Sequence, residues 1–153
     1  MELKLSSVNI NELIQKAVDS SQVWAKSKKL ELKAMPGTIP ETQADSDKIT
    51  QIIMNLISNA IKFTPEQGHI DITTMINPAG DSIYIYVRDS GVGIAKENLH
   101  KVFQKFQQFG VGRGGSGLGL FICKELVEMH GGKILIESDL GRGTTFTFTI
   151  PVK

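Results

Sequence analysis

Asn55, Asn59 and Lys62 fall at i, i+4 and i+7, so on a helix all three project along one narrow stripe. Asparagine competes with the backbone inside a helix, and two of them one turn apart ask for a reason beyond helix formation. Amide oxygens suit a hard cation such as Mg²⁺, and an ammonium suits phosphate oxygens; a solvated polar face is the plain alternative. Downstream, Asp89-Ser90-Gly91-Val92-Gly93-Ile94 follows an alternating apolar segment. An aspartate there can accept from an exocyclic amine, while Gly91 and Gly93 let the backbone turn sharply and approach a flat base; a turn that happens to carry an Asp is the alternative. The third candidate is Gly114-Gly115-Ser116-Gly117-Leu118-Gly119-Leu120, preceded by Gly110, Gly112 and Arg113 and opening straight into a helix. Backbone N–H groups at a helix N-terminus, freed of side chains by glycine, cradle phosphate. The glycines ahead of Ser116 read as a mobile lid. The Gly-Lys-Ser/Thr ending of a P-loop is missing, so this is a different kind of phosphate site.

The elements that must position these residues are legible from periodicity. Leu3 to Val8 reads as a short strand, followed by an amphipathic helix from about Asn11 to Lys28 with Leu13, Ile14, Ala17, Val18, Val23 and Trp24 facing inward. Leu30 to Met35 reads as a strand closed by the Pro36-Gly37 turn. A second helix starts at Ser46 with Ser46 or Asp47 as its cap, and Ile49, Ile52, Ile53, Leu56, Ile57, Ala60 and Ile61 follow the helical period until Thr64-Pro65 and Gly68. His69 to Ile76 and Ser82 to Val87 form a hairpin about Asn77-Pro78-Ala79-Gly80. After a short helical region from Glu97 to Phe106, a third long helix runs from Gly117 to His130 and stops at Gly131-Gly132. Lys133 to Glu137 and Thr144 to Val152 make the last hairpin. Paired strands separated by helices predict an α+β two-layer sandwich: a mixed, mostly antiparallel sheet with about three helices on one face.

At 153 residues the chain fits one domain and holds a core without staples. Cys123 is the only cysteine, so no disulfide framework exists, and it reads as a small buried hydrophobe on a helix. Lys and Arg total 17 against 16 for Asp and Glu, a net charge of +1, which points to neither nucleic acid nor an anionic membrane as a partner. No apolar run approaches a membrane span and Met1 to Asn11 lacks the apolar centre of a signal peptide, so a soluble, cytoplasmic domain is expected.

Order and spacing of the three candidates together resemble the ATPase family shared by histidine kinases, gyrase B, the Hsp90 chaperones and MutL, over nearly the whole chain. Asn55-Leu56-Ile57-Ser58-Asn59-Ala60 resembles its N box, Asp89 to Ile94 its first glycine box and Gly115 to Leu120 its second. Phe103-Gln104-Lys105-Phe106 resembles the F box of histidine kinases, and Gly141-Arg142-Gly143-Thr144-Thr145-Phe146 their last Gly-Thr block. The resemblance implies ATP and Mg²⁺ as ligands, with Asn59 the principal metal ligand and Asn55 supporting it. It places Lys62 on phosphate, Phe63 against adenine, Asp89 on the adenine amino group with Gly91 and Gly93 beside it, and Thr144 near the base. Lys105 and the backbone from Gly115 through Gly117, Leu118 and Gly119 would hold the triphosphate. Gln108 stands where many kinases carry a basic residue.

The family divides at position 55. Its gyrase-like and Hsp90-like members carry a glutamate there that activates water; an amide cannot act as that base, so transfer to an outside nucleophile is favoured over hydrolysis. None of His69, His100 and His130 has the acidic, helical setting of a phosphorylated histidine, so the acceptor is expected on a separate dimerisation and phosphotransfer domain, with a response regulator receiver domain further on. Residues 1–10 would be a linker or edge strand from that domain, 1–153 a single catalytic, ATP-binding domain that is monomeric alone, and the intact kinase could carry a membrane anchor. A non-catalytic nucleotide-binding module and a serine kinase of the anti-sigma-factor type are the alternatives.

Overall fold

A computed structural model describes residues 2–105 and 118–153. The expected lid, with Gly115, Gly117, Phe106 and Gln108, lies outside the described residues. In chain order the elements are β1 (Ser6–Val8), α1 (Ile10–Ser27), β2 (Glu31–Met35), β3 (Thr42–Ala44), α2 (Ser46–Phe63), β4 (His69–Ile76), β5 (Ser82–Asp89), α3 (Lys96–Leu99), α4 (Gly119–Met129), β6 (Ile134–Asp139) and β7 (Gly143–Pro151). The main sheet has the order β2-β4-β5-β7-β6, with β2 parallel to β4 and every other pair antiparallel. β1 and β3 form a separate antiparallel pair.

Alternation assigns the sheet's two faces. Ile70 and Ile72 of β4, Ile83, Ile85 and Val87 of β5, and Phe146, Phe148 and Ile150 of β7 are buried toward α1, α2 and α4, whereas Tyr84, Tyr86 and Met75 lie on the outer side. The α+β sandwich is therefore as expected, and of the short helical region expected from Glu97 to Phe106 only a single turn, α3, is an α-helix among the described residues.

Helix α2 is the spine of the core: Ile49, Ile52, Ile53, Leu56, Ile57 and Ile61 are fully buried. Each such side chain contributes about 1.5–3 kcal/mol, whereas an asparagine in a helix costs under about 1 kcal/mol, so packing easily carries Asn55 and Asn59 into helical conformation. Three expectations need correction. Asp45, not Ser46 or Asp47, caps α2: its extended backbone aims the carboxylate at Lys48 N. Val23 and Trp24 point outward, at 82% and 41% exposure, because the buried stripe of α1 continues at Ser21 and Ala25 instead. The opening strand begins only at Ser6, and it pairs with β3, which periodicity could not reveal in three residues.

Candidate functional site

Asn55, Asn59 and Lys62 are half-buried on the edge of α2. The Asn55 amide reaches α4, where its Nδ2 donates a long hydrogen bond of 3.5 Å to the carbonyl of Gly119. A Cβ on Gly119 would meet nothing closer than the Asn55 carboxamide, at 3.9 Å. One turn along, Cys123 Sγ lies 3.8 Å from the Ile52 carbonyl. Burial pushes its thiol up to about 12, with a hydrogen bond from Asn55 pulling the other way, so the plain reading of Cys123 as a buried structural residue holds. Leu118 occupies the N-cap of α4 and supplies no side-chain acceptor, so no side chain among the described residues caps the first-turn N–H groups.

The other end of α2 meets the Asp89–Ile94 segment. The Phe63 carbonyl accepts from Val92 N at 3.2 Å, and a Cβ on Gly91 would collide with that carbonyl and with Asp89 Oδ1. Gly93 has φ +75 and packs its Cα against the Asp139 carbonyl, so both glycines are required by the protein's own close approaches. Lys28 was not singled out by sequence: its Nζ donates to the carbonyls of Ile61, Lys62 and Thr64 at 2.6, 3.3 and 3.2 Å and caps α2 with the charge its C-terminus prefers.

Asp89 ends β5 and is buried. Its Oδ1 accepts from Gly91 N at 2.8 Å and Thr144 N at 3.2 Å; Oδ2 has no donor among the described residues. Burial raises this carboxyl above its ordinary value, against the two backbone N–H bonds that lower it. Thr144, its cross-strand partner on β7, is buried beside it. Ser138, opposite Thr144 on β6, sits 2.8 Å from the Thr144 hydroxyl; sequence reasoning missed it, although its register across the Gly141–Gly143 turn was there to be counted.

Lys105 is exposed and places Nζ 4.9 Å from the ring centre of Phe121, in the first turn of α4. The structure thus gathers Asn55, Leu118 and Gly119, with Lys105 nearby, at one end of the α2 stripe. Phe63, Gly91, Asp89 and Thr144 lie at the other end, with Asn59 and Lys62 between. Gly115 and Gly117 fall outside the described residues. His69 and His100 are exposed, while His130 is buried at the end of α4, where its Nε2 accepts from Asp45 N at 3.1 Å.

A sheet, a long helix carrying amides, and a second helix whose N-terminus has no side-chain cap among the described residues define a nucleotide-binding class of domain, and comparison with known proteins agrees. Residues 44–153 match the family described as histidine kinase-, DNA gyrase B- and HSP90-like ATPases, and the chain belongs to that family. Among curated proteins it is 47% identical over 115 residues to the sensor histidine kinase WalK of Bacillus subtilis, covering 72% of this chain and 19% of WalK. It is 38% identical over 151 residues to the sensor histidine kinase ZraS of Escherichia coli, covering 98% of this chain and 32% of ZraS. The chain therefore spans between a fifth and a third of these relatives' length.

Among solved structures, full-length ShkA in complex with AMPPNP superposes with a TM-score of 0.88 at 31% identity, covering 99% of this chain and 32% of ShkA. The catalytic domain of the histidine kinase ThkA superposes at 0.85 and 30% identity, covering 97% and 98% of the two chains. Within the family, then, the chain is of the histidine kinase catalytic-domain type. No helix among the described residues is long and apolar enough to cross a membrane.

Proposed function

We propose that the chain binds ATP with Mg²⁺ and transfers the γ-phosphate to a histidine on a separate dimerisation and phosphotransfer domain. A response regulator would receive the phosphate in turn, as the solved complex of ThkA with the response regulator TrrA suggests by analogy. One observation carries this reading: α2 touches the Gly119 turn through Asn55 and the glycine segment through Phe63, so its stripe bridges a phosphate cradle and a base pocket.

The residues present fit the ligands. The N–H groups at Leu118 and Gly119, which no side chain among the described residues caps, would take the triphosphate with Lys62 and Lys105, together with Gly115 and Gly117. The free Asp89 Oδ2, flanked by Gly91, Gly93 and Thr144, would accept from the adenine amine, and Phe63 would lie against the ring. Asn59, supported by Asn55, supplies the amide oxygen that a hard cation prefers, and among the described residues no His, Cys, Asp and Glu cluster offers another metal site. Mg²⁺ bound there would neutralise charge on the transferring phosphate. Asn55 cannot deprotonate water, so these residues orient and neutralise while the acceptor supplies the nucleophile. The domain would act as a monomer on the cytoplasmic side, touching neither nucleic acid nor membrane itself.

Mixing the chain with a histidine-bearing helical domain and γ-labelled ATP tests the proposal. Acid-labile label on the acceptor is the expected result; acid-stable label would instead indicate a serine kinase, and no label at all would reduce the chain to a nucleotide-binding module.

A further inference from the structure

The Ser138 hydroxyl makes every hydrogen bond a hydroxyl can make. It donates to the Gly143 carbonyl at 2.9 Å, accepts from Ile94 N at 2.8 Å and lies 2.8 Å from Thr144 Oγ1. A carbonyl only accepts and an N–H only donates, so the single Ser138 proton is committed to Gly143. The third bond must then be Thr144 donating to Ser138, and the Thr144 hydroxyl keeps only lone pairs for anything else. Beside it, Asp89 Oδ1 is occupied by Gly91 N and Thr144 N, and the free Oδ2 of the carboxylate likewise offers only lone pairs.

We infer that Ser138 is a positioning residue for base selection: by holding the Thr144 proton away from the site, it makes the surface around Asp89 accept without donating. Such a surface takes a ring edge bearing an amine and rejects one that puts a carbonyl oxygen in the same place, because two facing acceptors leave both unpaired. The inference rests on the proposal that the nucleotide base sits at Asp89. Without Ser138 the Thr144 hydroxyl can rotate and donate, and a carbonyl edge becomes acceptable.

Calorimetric titration with ADP and with IDP, which carries oxygen in place of the amine, tests this in the parent chain, Ser138→Ala and Ser138→Thr. The parent is expected to prefer ADP, Ser138→Ala to narrow the ADP/IDP affinity ratio by about three- to ten-fold, and Ser138→Thr to keep the parent ratio. Ser138→Ala also orphans Ile94 N, so both nucleotides will weaken; a purely structural role would weaken them equally, and only the ratio reads the proton arrangement. An unchanged ratio in Ser138→Ala, with parent binding intact, overturns the inference alone, whereas a parent that binds neither nucleotide overturns the nucleotide reading and the inference with it. Should Ser138→Ala not fold, Thr144→Val removes the same lone pairs while leaving Ser138 bonded to Gly143 and Ile94, and the ratio must narrow there instead.

Discussion

Asp89 holds a carboxylate where burial disfavours its charge. Its folded pKa lies above the unfolded 3.8, so whatever stability it contributes is present below that value and lost as pH rises through the folded one. Desolvation makes ionising this carboxyl costly, and the N–H groups of Gly91 and Thr144 offset part of that cost. Asp89→Asn keeps an oxygen for Gly91 N and Thr144 N, so the variant should melt no lower than the parent at pH 7 while binding ATP about ten-fold or more weakly. Thermal melts and titrations on the same sample check both halves; a lower melting temperature with unchanged affinity would reverse the assignment from binding to structure. Asn59→Ala belongs to the same scale. Its side chain is only half-buried and the core beneath is apolar, so stability should hold while Mg²⁺-dependent binding of a non-hydrolysable ATP analogue is lost. Equal affinity with and without Mg²⁺ in the parent would contradict the ligand assignment.

Helix α2 orients the stripe, and its ends are held by contacts distant in sequence. Asp45 caps it through Lys48 N at 3.2 Å, accepts from Lys4 N at 2.9 Å, and donates its own N–H to His130 Nε2. The hydrogen bond from Lys4 leads the causes that hold this carboxyl below its ordinary value, so its stabilisation is present above pH 3.8 and is lost as pH falls through the lower folded pKa. Asp45→Ala should cost about 0.5–2 kcal/mol in denaturant melts at neutral pH, and that difference should shrink in acid. A cost that does not change with pH would mean the carboxylate itself contributes nothing. These ties explain what the sequence made legible and what it did not. Periodicity located α2, the β4–β5 hairpin and the last hairpin to within about two residues, because each is long and has a strong apolar pattern. It misplaced the cap by one residue, overlooked β3, and turned Val23 and Trp24 inward, because those features depend on partners elsewhere in the chain. The motif residues were legible as chemistry; Ser138 and Lys28 were not, since each acts through a hydrogen bond to a residue far away in α2 or across a turn.

At the scale of the whole molecule, one layer of helices over a twisted sheet leaves a seam along α2 where three sequence segments meet. That geometry separates the duties of the domain: it can hold and orient a nucleotide, but it contains no general base at position 55 and no histidine in an acceptor setting. WalK and ZraS are about four and three times as long as this chain, consistent with the acceptor residing elsewhere in such proteins. The central claim is that nucleotide lies along this seam, and backbone amide chemical shifts recorded during titration with Mg²⁺ and a non-hydrolysable ATP analogue test it directly. The largest shifts should fall on Asn55–Phe63, Asp89–Ile94, Leu118–Leu120 and Thr144; shifts confined to the outer sheet face around Tyr84 and Tyr86, or none at millimolar nucleotide, would contradict it.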